Sequence, residues 1–256
     1  MRVFRECLRI AVSNSLAYRA DFVMTALIVF FSNFLFPIVT ILVYGAGAGF
    51  PGWGFYEVLL IQAIFTVSSG VSGVFFNGIF WQTNFNIREG TFEVALLKPL
   101  GTLFWMLVSS IQLESVGTVA GGILMAAIAL SKVGGLSIGG ILGGVALFSG
   151  GVCVMLGITL MMAATAFKWV GNSRIPELFG SARECAKYPQ SVFPRAARGV
   201  AAFVLPVAMI GFFPASVLLG KAEPAHFLAL LPCAAFTAGG IAFYQAMIRR
   251  YEGVGG

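Results

Sequence analysis

Six apolar segments divide this chain of 256 residues, and its lysines and arginines fall almost entirely into alternate gaps between them. That pattern constrains the fold more than any single motif. The segments cover residues 22–45, 56–81, 103–130, 138–167, 199–219 and 225–248. Each reaches the roughly 20 apolar residues that a helix needs to cross a bilayer. Apolar residue types make up 59% of the chain and charged ones only 10%, more apolar surface than a soluble domain of this size can bury. The expected fold is all-α: a polytopic membrane protein with six transmembrane helices, forming one transmembrane domain over residues 1–256.

With six spans the connections alternate sides. One side holds Arg2, Arg5, Arg9, Arg19, Arg88, Lys98, Lys168, Arg174, Arg183, Lys187, Arg195, Arg198, Arg249 and Arg250. The other holds only Lys132 and Lys221. Basic residues collect in cytoplasmic loops, so a multi-pass plasma-membrane protein with both termini in the cytoplasm is expected. The net charge of +6 and pI near 9.4 then read as contacts with anionic membrane lipids along that rim. No nucleic-acid partner is expected from so dispersed a charge.

The connections carry their own signals. Arg2, Arg5 and Arg9 recur at helical spacing among apolar residues, which predicts an amphipathic interfacial helix within residues 1–20. Pro37 removes a hydrogen bond from the first span and predicts a kink. Residues 45–54 are rich in Gly and Pro and free of charge, a tight turn, with Trp53, Phe55 and Tyr56 as an aromatic anchor beside it. Residues 87–99 run from a charged start through Gly90 to a proline stop, which predicts a compact helix along the membrane surface. Residues 168–198 form a long cytoplasmic connection, with a helix over 175–187 starting near Ser173 and Pro176. Pro206 and Pro214 flank Gly211 in the fifth segment and predict a kinked or broken span. Gly117 and Gly121 set a small-xxx-small spacing that lets helices approach closely in lipid.

Catalytic chemistry is sparse. The chain has no GxxxxGK[ST] and no HExxH, and its single histidine, His226, stands at a span boundary. The four cysteines show no CxxC spacing, so no metal or disulfide framework is expected. Glu57 reads as a helix-start carboxylate. Glu114 has two readings. On a continuous helix it shares a face with Ser110 and Thr118, a polar translocation surface that would attract a cation; a charge at the bilayer centre costs about 2.5–3.5 kcal/mol and is rarely idle. If the span starts later, Glu114 is a carboxylate at the cytoplasmic rim.

An ordered set of phrases resembles the membrane permease subunits of ABC exporters, in a short six-span subfamily of the drug- and polysaccharide-exporter-like class. The phrases are Tyr18-Arg-Ala-Asp-Phe22, Gly52-Trp-Gly-Phe-Tyr-Glu-Val58, Ile87-Arg-Glu-Gly-Thr91, Leu96-Leu-Lys-Pro99, Tyr188-Pro189, Val192-Phe-Pro194, Phe203-Val-Leu-Pro-Val207, Phe213-Pro-Ala215 and Arg250-Tyr251. Where that family usually carries an aspartate after the Arg-x-Gly-Thr phrase, Phe92-Glu93 stands. The resemblance implies a non-enzymatic half-transporter. It would pair with a second permease, a sister or itself, and with ABC ATPase subunits that hold the ATP and Mg. Residues 87–99 would be the coupling helix, with Arg88, Glu89 and Glu93 meeting an ATPase groove and Phe92 filling a pocket there. A drug or organic cation is the substrate it suggests. The competing classes are a membrane scaffold, an intramembrane enzyme, and an ion-driven secondary transporter, which would usually be longer and show repeated halves.

Overall fold

The computed structural model describes residues 2–135, 137–169 and 174–252, and all regular structure among them is helical. Long apolar runs leave few alternatives, because backbone groups in lipid must be paired within their own segment. Among the described residues, five helical stretches are long and apolar enough to cross a membrane: Arg19–Gly45, Phe55–Arg88, Leu113–Val133, Ile138–Ala166 and Pro224–Arg249. We call the end of the bundle that carries Gly54, Ser137 and Glu223 the upper end. Arg88, Phe167 and Arg249 mark the lower end.

The interfacial segment is α1 (Arg2–Ala17), with Arg5 and Arg9 exposed. The first long stretch is two helices, α2 (Arg19–Ser32) and α3 (Leu35–Gly45). The bend lies at Asn33–Phe34, one turn before Pro37. Proline offers no N–H to the carbonyl of residue 33, and its ring crowds that carbonyl. The Asn33 amide donates to the Val29 carbonyl at 2.6 Å, pairing backbone beside the bend.

The second stretch combines α4 (Phe55–Ser72), a π-helical segment Gly73–Asn77 and α5 (Gly78–Arg88). Glu57 does act at its start: the carboxylate accepts the Gly54 N–H at 3.0 Å and pairs with Lys221 at 2.8 Å. The polar run at 82–86, expected to leave the span, continues the helix instead. The stretch is 34 residues long, about 50 Å at 1.5 Å per residue, well beyond a hydrocarbon core of about 30 Å.

The third expected span is interrupted. It comprises α7 (Thr102–Ser109), an irregular Ser110–Gln112, a single 3₁₀ turn Leu113–Ser115, and α8 (Val116–Val133). This interruption faces the π segment. The Gln112 N–H donates to the Val74 carbonyl at 2.9 Å. A Cβ on Gly78 would stand 2.1 Å from the Ser110 carbonyl oxygen, so only glycine permits this crossing. Higher up, Gly117 and Gly121 do face another helix, with Ala26 and Phe30 of α2 against them.

The central element is α9 (Ile138–Ala166), capped where Ser137 Oγ accepts the Gly140 N–H at 2.9 Å. The last helices are α13 (Pro224–Leu228) and α14 (Leu230–Arg249).

The region between α9 and α13 departs most from expectation. Residues 199–219 are not a span helix. The chain runs through α10 (Arg174–Glu184), 3₁₀ turns at Cys185–Lys187 and Gln190–Val192, and α11 (Arg195–Gly199). A π-helical Val200–Val204, a 3₁₀ turn Val207–Met209 and α12 (Phe212–Leu218) follow. Pro206 is the cause: it cannot donate a hydrogen bond, and it forces Leu205 out of the helical region, to φ −118°, ψ 82°. Pro214 is tolerated because it lies in the first turn of α12, where N–H groups lack helical partners anyway. The result is a hairpin with its tip inside the bundle. Ser68 Oγ donates to the Ile210 carbonyl at 2.9 Å. α12 then rises along α9, so that Val217 meets Gly143 near the upper end.

The expected connection 168–198 therefore does not stay at the lower end with Lys168. A Cβ on Gly211 would lie 2.8 Å from the Ala186 carbonyl and 3.0 Å from that of Ile61, which places 186 within the bundle. Lys187 Nζ sits 4.9 Å from the ring centroids of both Phe36 and Phe65. Tyr188 packs on Phe50 of the upper turn. Ser173, the expected start of this helix, lies outside the described residues.

Candidate functional site

At the lower end, the helix-breaking Gly90 (φ 67°) turns the chain out of α5 and into α6 (Phe92–Leu96). The expected compact helix over 87–99 is thus shorter: Ile87 and Arg88 finish α5, and the chain leaves α6 at Leu97. Phe92 is fully buried. Its ring meets Phe167 at 4.9 Å and Tyr251 at 5.2 Å, both edge to face. Phe167 in turn packs on Tyr244, whose hydroxyl shares a 2.9 Å hydrogen bond with Thr83 Oγ1. Four aromatic side chains therefore fasten α6 to the lower ends of α9 and α14. Phe92 fills a pocket in its own chain.

What α6 does present is the opposite face. Arg88, Glu89 and Glu93 are exposed, and so are Val94 and Leu97, the latter at 84%. Lys98 lies over the Trp105 ring at 5.0 Å. The exposed side of this anchored element thus joins two carboxylates to an apolar tip.

The second feature lies where the third stretch is interrupted. Ser110, Glu114 and Thr118 do not share a helical face, because the break at 110–112 removes the register between them. The Ser110 side chain is buried and donates back to the Met106 carbonyl. Thr118 is half-buried in the first turn of α8. Glu114 is exposed and, with Asp21, lines a cleft of about 310 Å³ together with Ser15, Tyr18 and Gln112. Neither carboxylate is ion-paired with a described residue. The cleft lies beside the start of α2, where Tyr18, Asp21 and Phe22 line it.

A third polar site was hidden in the sequence. Between α2, α3, α4 and the 185–187 turn lies a cavity of about 100 Å³ lined by Asn33, Gln62, Ser69 and Lys187. Gln62 Nε2 donates to Thr40 Oγ1 at 2.7 Å. Gln62 Oε1 and Ser69 Oγ are buried without a protein partner, and Lys187 pairs with Glu184. Sequence reasoning placed Lys187 on a rim. The available signal was the pair of prolines in 199–219, which denies that segment a straight crossing. No group of His, Cys, Asp and Glu among the described residues is arranged to hold a metal ion.

Residues 26–255 match the family described as ABC-2 family transporter protein. No curated protein and no solved structure matches the chain. Because the match spans nearly all of it, the chain belongs to the ABC-2 transporter family and is a multi-pass membrane component of a transport system.

Proposed function

We propose that this ABC-2 family chain is the permease subunit of an ATP-binding-cassette exporter, coupled to separate ATPase subunits through the surface from Glu89 to Leu97. The observation that carries this reading is the long helix Phe55–Arg88, which overshoots the bilayer and delivers an anchored α6 with Leu97 84% exposed. A P-loop is absent from the sequence, so ATP and Mg belong to the partner. The first helical stretch buries little of itself, which supports pairing with a second permease, a sister or another copy. The lower end is cytoplasmic in this reading: Arg5, Arg9, Arg19, Arg88, Lys98, Lys168, Arg249 and Arg250 gather there, as the positive-inside rule requires. Residues 174–193 make the sixth crossing, and the 195–219 hairpin dips back from the outer side. The cleft with Asp21 and Glu114 opens toward the cytoplasm, where an organic cation or cationic drug would be gathered for export.

The test is co-purification with the ATPase subunit from the native membrane. Replacing Val94 and Leu97 with Asp puts charge on the exposed tip and should cut ATPase recovery about tenfold, the loss expected for removing one apolar anchor. The melting temperature of the permease should not move. Undiminished ATPase recovery would overturn the assignment of this surface.

A further inference from the structure

The hairpin at the upper end holds two adjoining cavities of opposite character, and Gln190 lines both. The first, about 350 Å³, is almost wholly apolar, walled by Ala186, Phe193, Ala201, Leu205, Val207 and Phe212. The second, about 310 Å³, is lined by Arg195, Arg198, Gln190, Phe203, Glu223 and His226. Two donors at this second cavity lack a protein partner although they are buried: Arg198 Nε and Gln190 Nε2. Buried donors left unpaired cost about 1–3 kcal/mol each, so the cavity favours a hydrogen-bond acceptor. Arg195 and Arg198 are in no ion pair with a described residue. His226 is occupied differently: its Nδ1 accepts the Glu223 N–H at 3.2 Å, and its ring packs on Phe213 at 4.6 Å. Glu223 is the one carboxylate lining the cavity, against two guanidinium groups.

The polar cavity is chemically suited to an anion and the apolar one to an alkyl chain. The surroundings say where such a molecule comes from. Val192, Val200, Phe203 and Val204 are exposed apolar side chains around the same hairpin, a surface that faces hydrocarbon better than water. We propose that the 190–212 hairpin binds one anionic phospholipid of the bilayer, its phosphate on Arg195, Arg198 and Gln190 and an acyl chain in the apolar cavity. This rests on the membrane placement proposed above and not on ATPase coupling, so loss of either leaves the other testable.

The experiment uses the full chain in phosphatidylcholine vesicles, with and without phosphatidylglycerol. Melting is followed by tryptophan fluorescence, and retained lipid by native mass spectrometry after extraction in neutral detergent. Phosphatidylglycerol should raise the melting temperature and be retained by the chain. Arg195→Gln/Arg198→Gln keeps side-chain hydrogen bonding but removes the charge, and should weaken retention about tenfold, as expected for losing charge-assisted bonds. Ala201→Phe fills the apolar cavity and should also abolish retention with the arginines intact. Arg249→Ala/Arg250→Ala, at the other end of the bundle, should leave retention as in the parent chain. Equal retention by parent and Arg195/Arg198 variant would overturn the site. So would loss in the Arg249/Arg250 variant, which would mean diffuse charge attraction. Protection by inorganic phosphate alone, or by dodecyl phosphate but not phosphatidylglycerol, would reject a bilayer lipid as the occupant.

Discussion

Replacing Phe92 with alanine separates two accounts of the lower end. Phe92 is fully buried against Phe167 and Tyr251, so its loss opens a cavity under α6. Large-to-small changes at buried aromatic positions cost about 3–5 kcal/mol. Each edge-to-face contact adds about 0.5–1.5 kcal/mol of that. Phe92→Leu, which keeps an apolar side chain in most of the space but loses both ring contacts, should cost about 1–3 kcal/mol. Most of the loss should fall locally, because α6 has only five residues and no other buried large side chain. Hydrogen exchange measured by mass spectrometry should therefore show faster exchange in peptides covering 90–98 for Phe92→Ala, an intermediate effect for Phe92→Leu, and little change within α4 or α9. ATPase recovery should fall in parallel. If exchange is unchanged while ATPase binding disappears, Phe92 reaches into the partner and the aromatic anchor described here is wrong.

Two further outcomes are expected. Replacing Glu114 with Gln and Asp21 with Asn removes both charges from the lower cleft while keeping size, and should raise the concentration of cationic substrate needed for half-maximal ATPase stimulation about fivefold or more, with basal hydrolysis unchanged; an unmoved half-maximal concentration would remove the cleft from the transport route. In a chain whose native cysteines are replaced, a single cysteine at Ala196 should react with an impermeant maleimide applied outside intact cells, while one at Val94 should be protected; protection at 196 would return that segment to the cytoplasmic side.

Hydropathy made the five long helices legible because each is a continuous apolar run, and the carboxylate of Glu57 and the small-residue face of Gly117 followed from spacing alone. The fifth segment misled for a physical reason. Residues 199–219 are the more apolar stretch, yet Pro206 and Gly211 prevent a straight helix. The segment that packs into the bundle beside it carries Arg183 and Lys187, which read as rim residues. The placement of Lys187 depends on partners distant in sequence, Phe36 and Phe65, that no local pattern announces. The same limit applies to Phe92. Its spacing marks it as apolar on an amphipathic turn, but which neighbour it faces is decided by Phe167 and Tyr251, far along the chain. Glu114 has two readings in the sequence because nothing local marks the break at 110–112, where Gln112 pairs with Val74 of the π segment.

That meeting of two irregularities has a mechanical consequence. Helices resist bending along their length but yield where the i to i−4 ladder is disturbed, and here the disturbed levels of two neighbours are tied together by the Gln112 N–H and the Val74 carbonyl. Bending one without the other would break that bond and drive Gly78 against the Ser110 carbonyl. The two helices therefore share one joint, and neither bends at that level without the other.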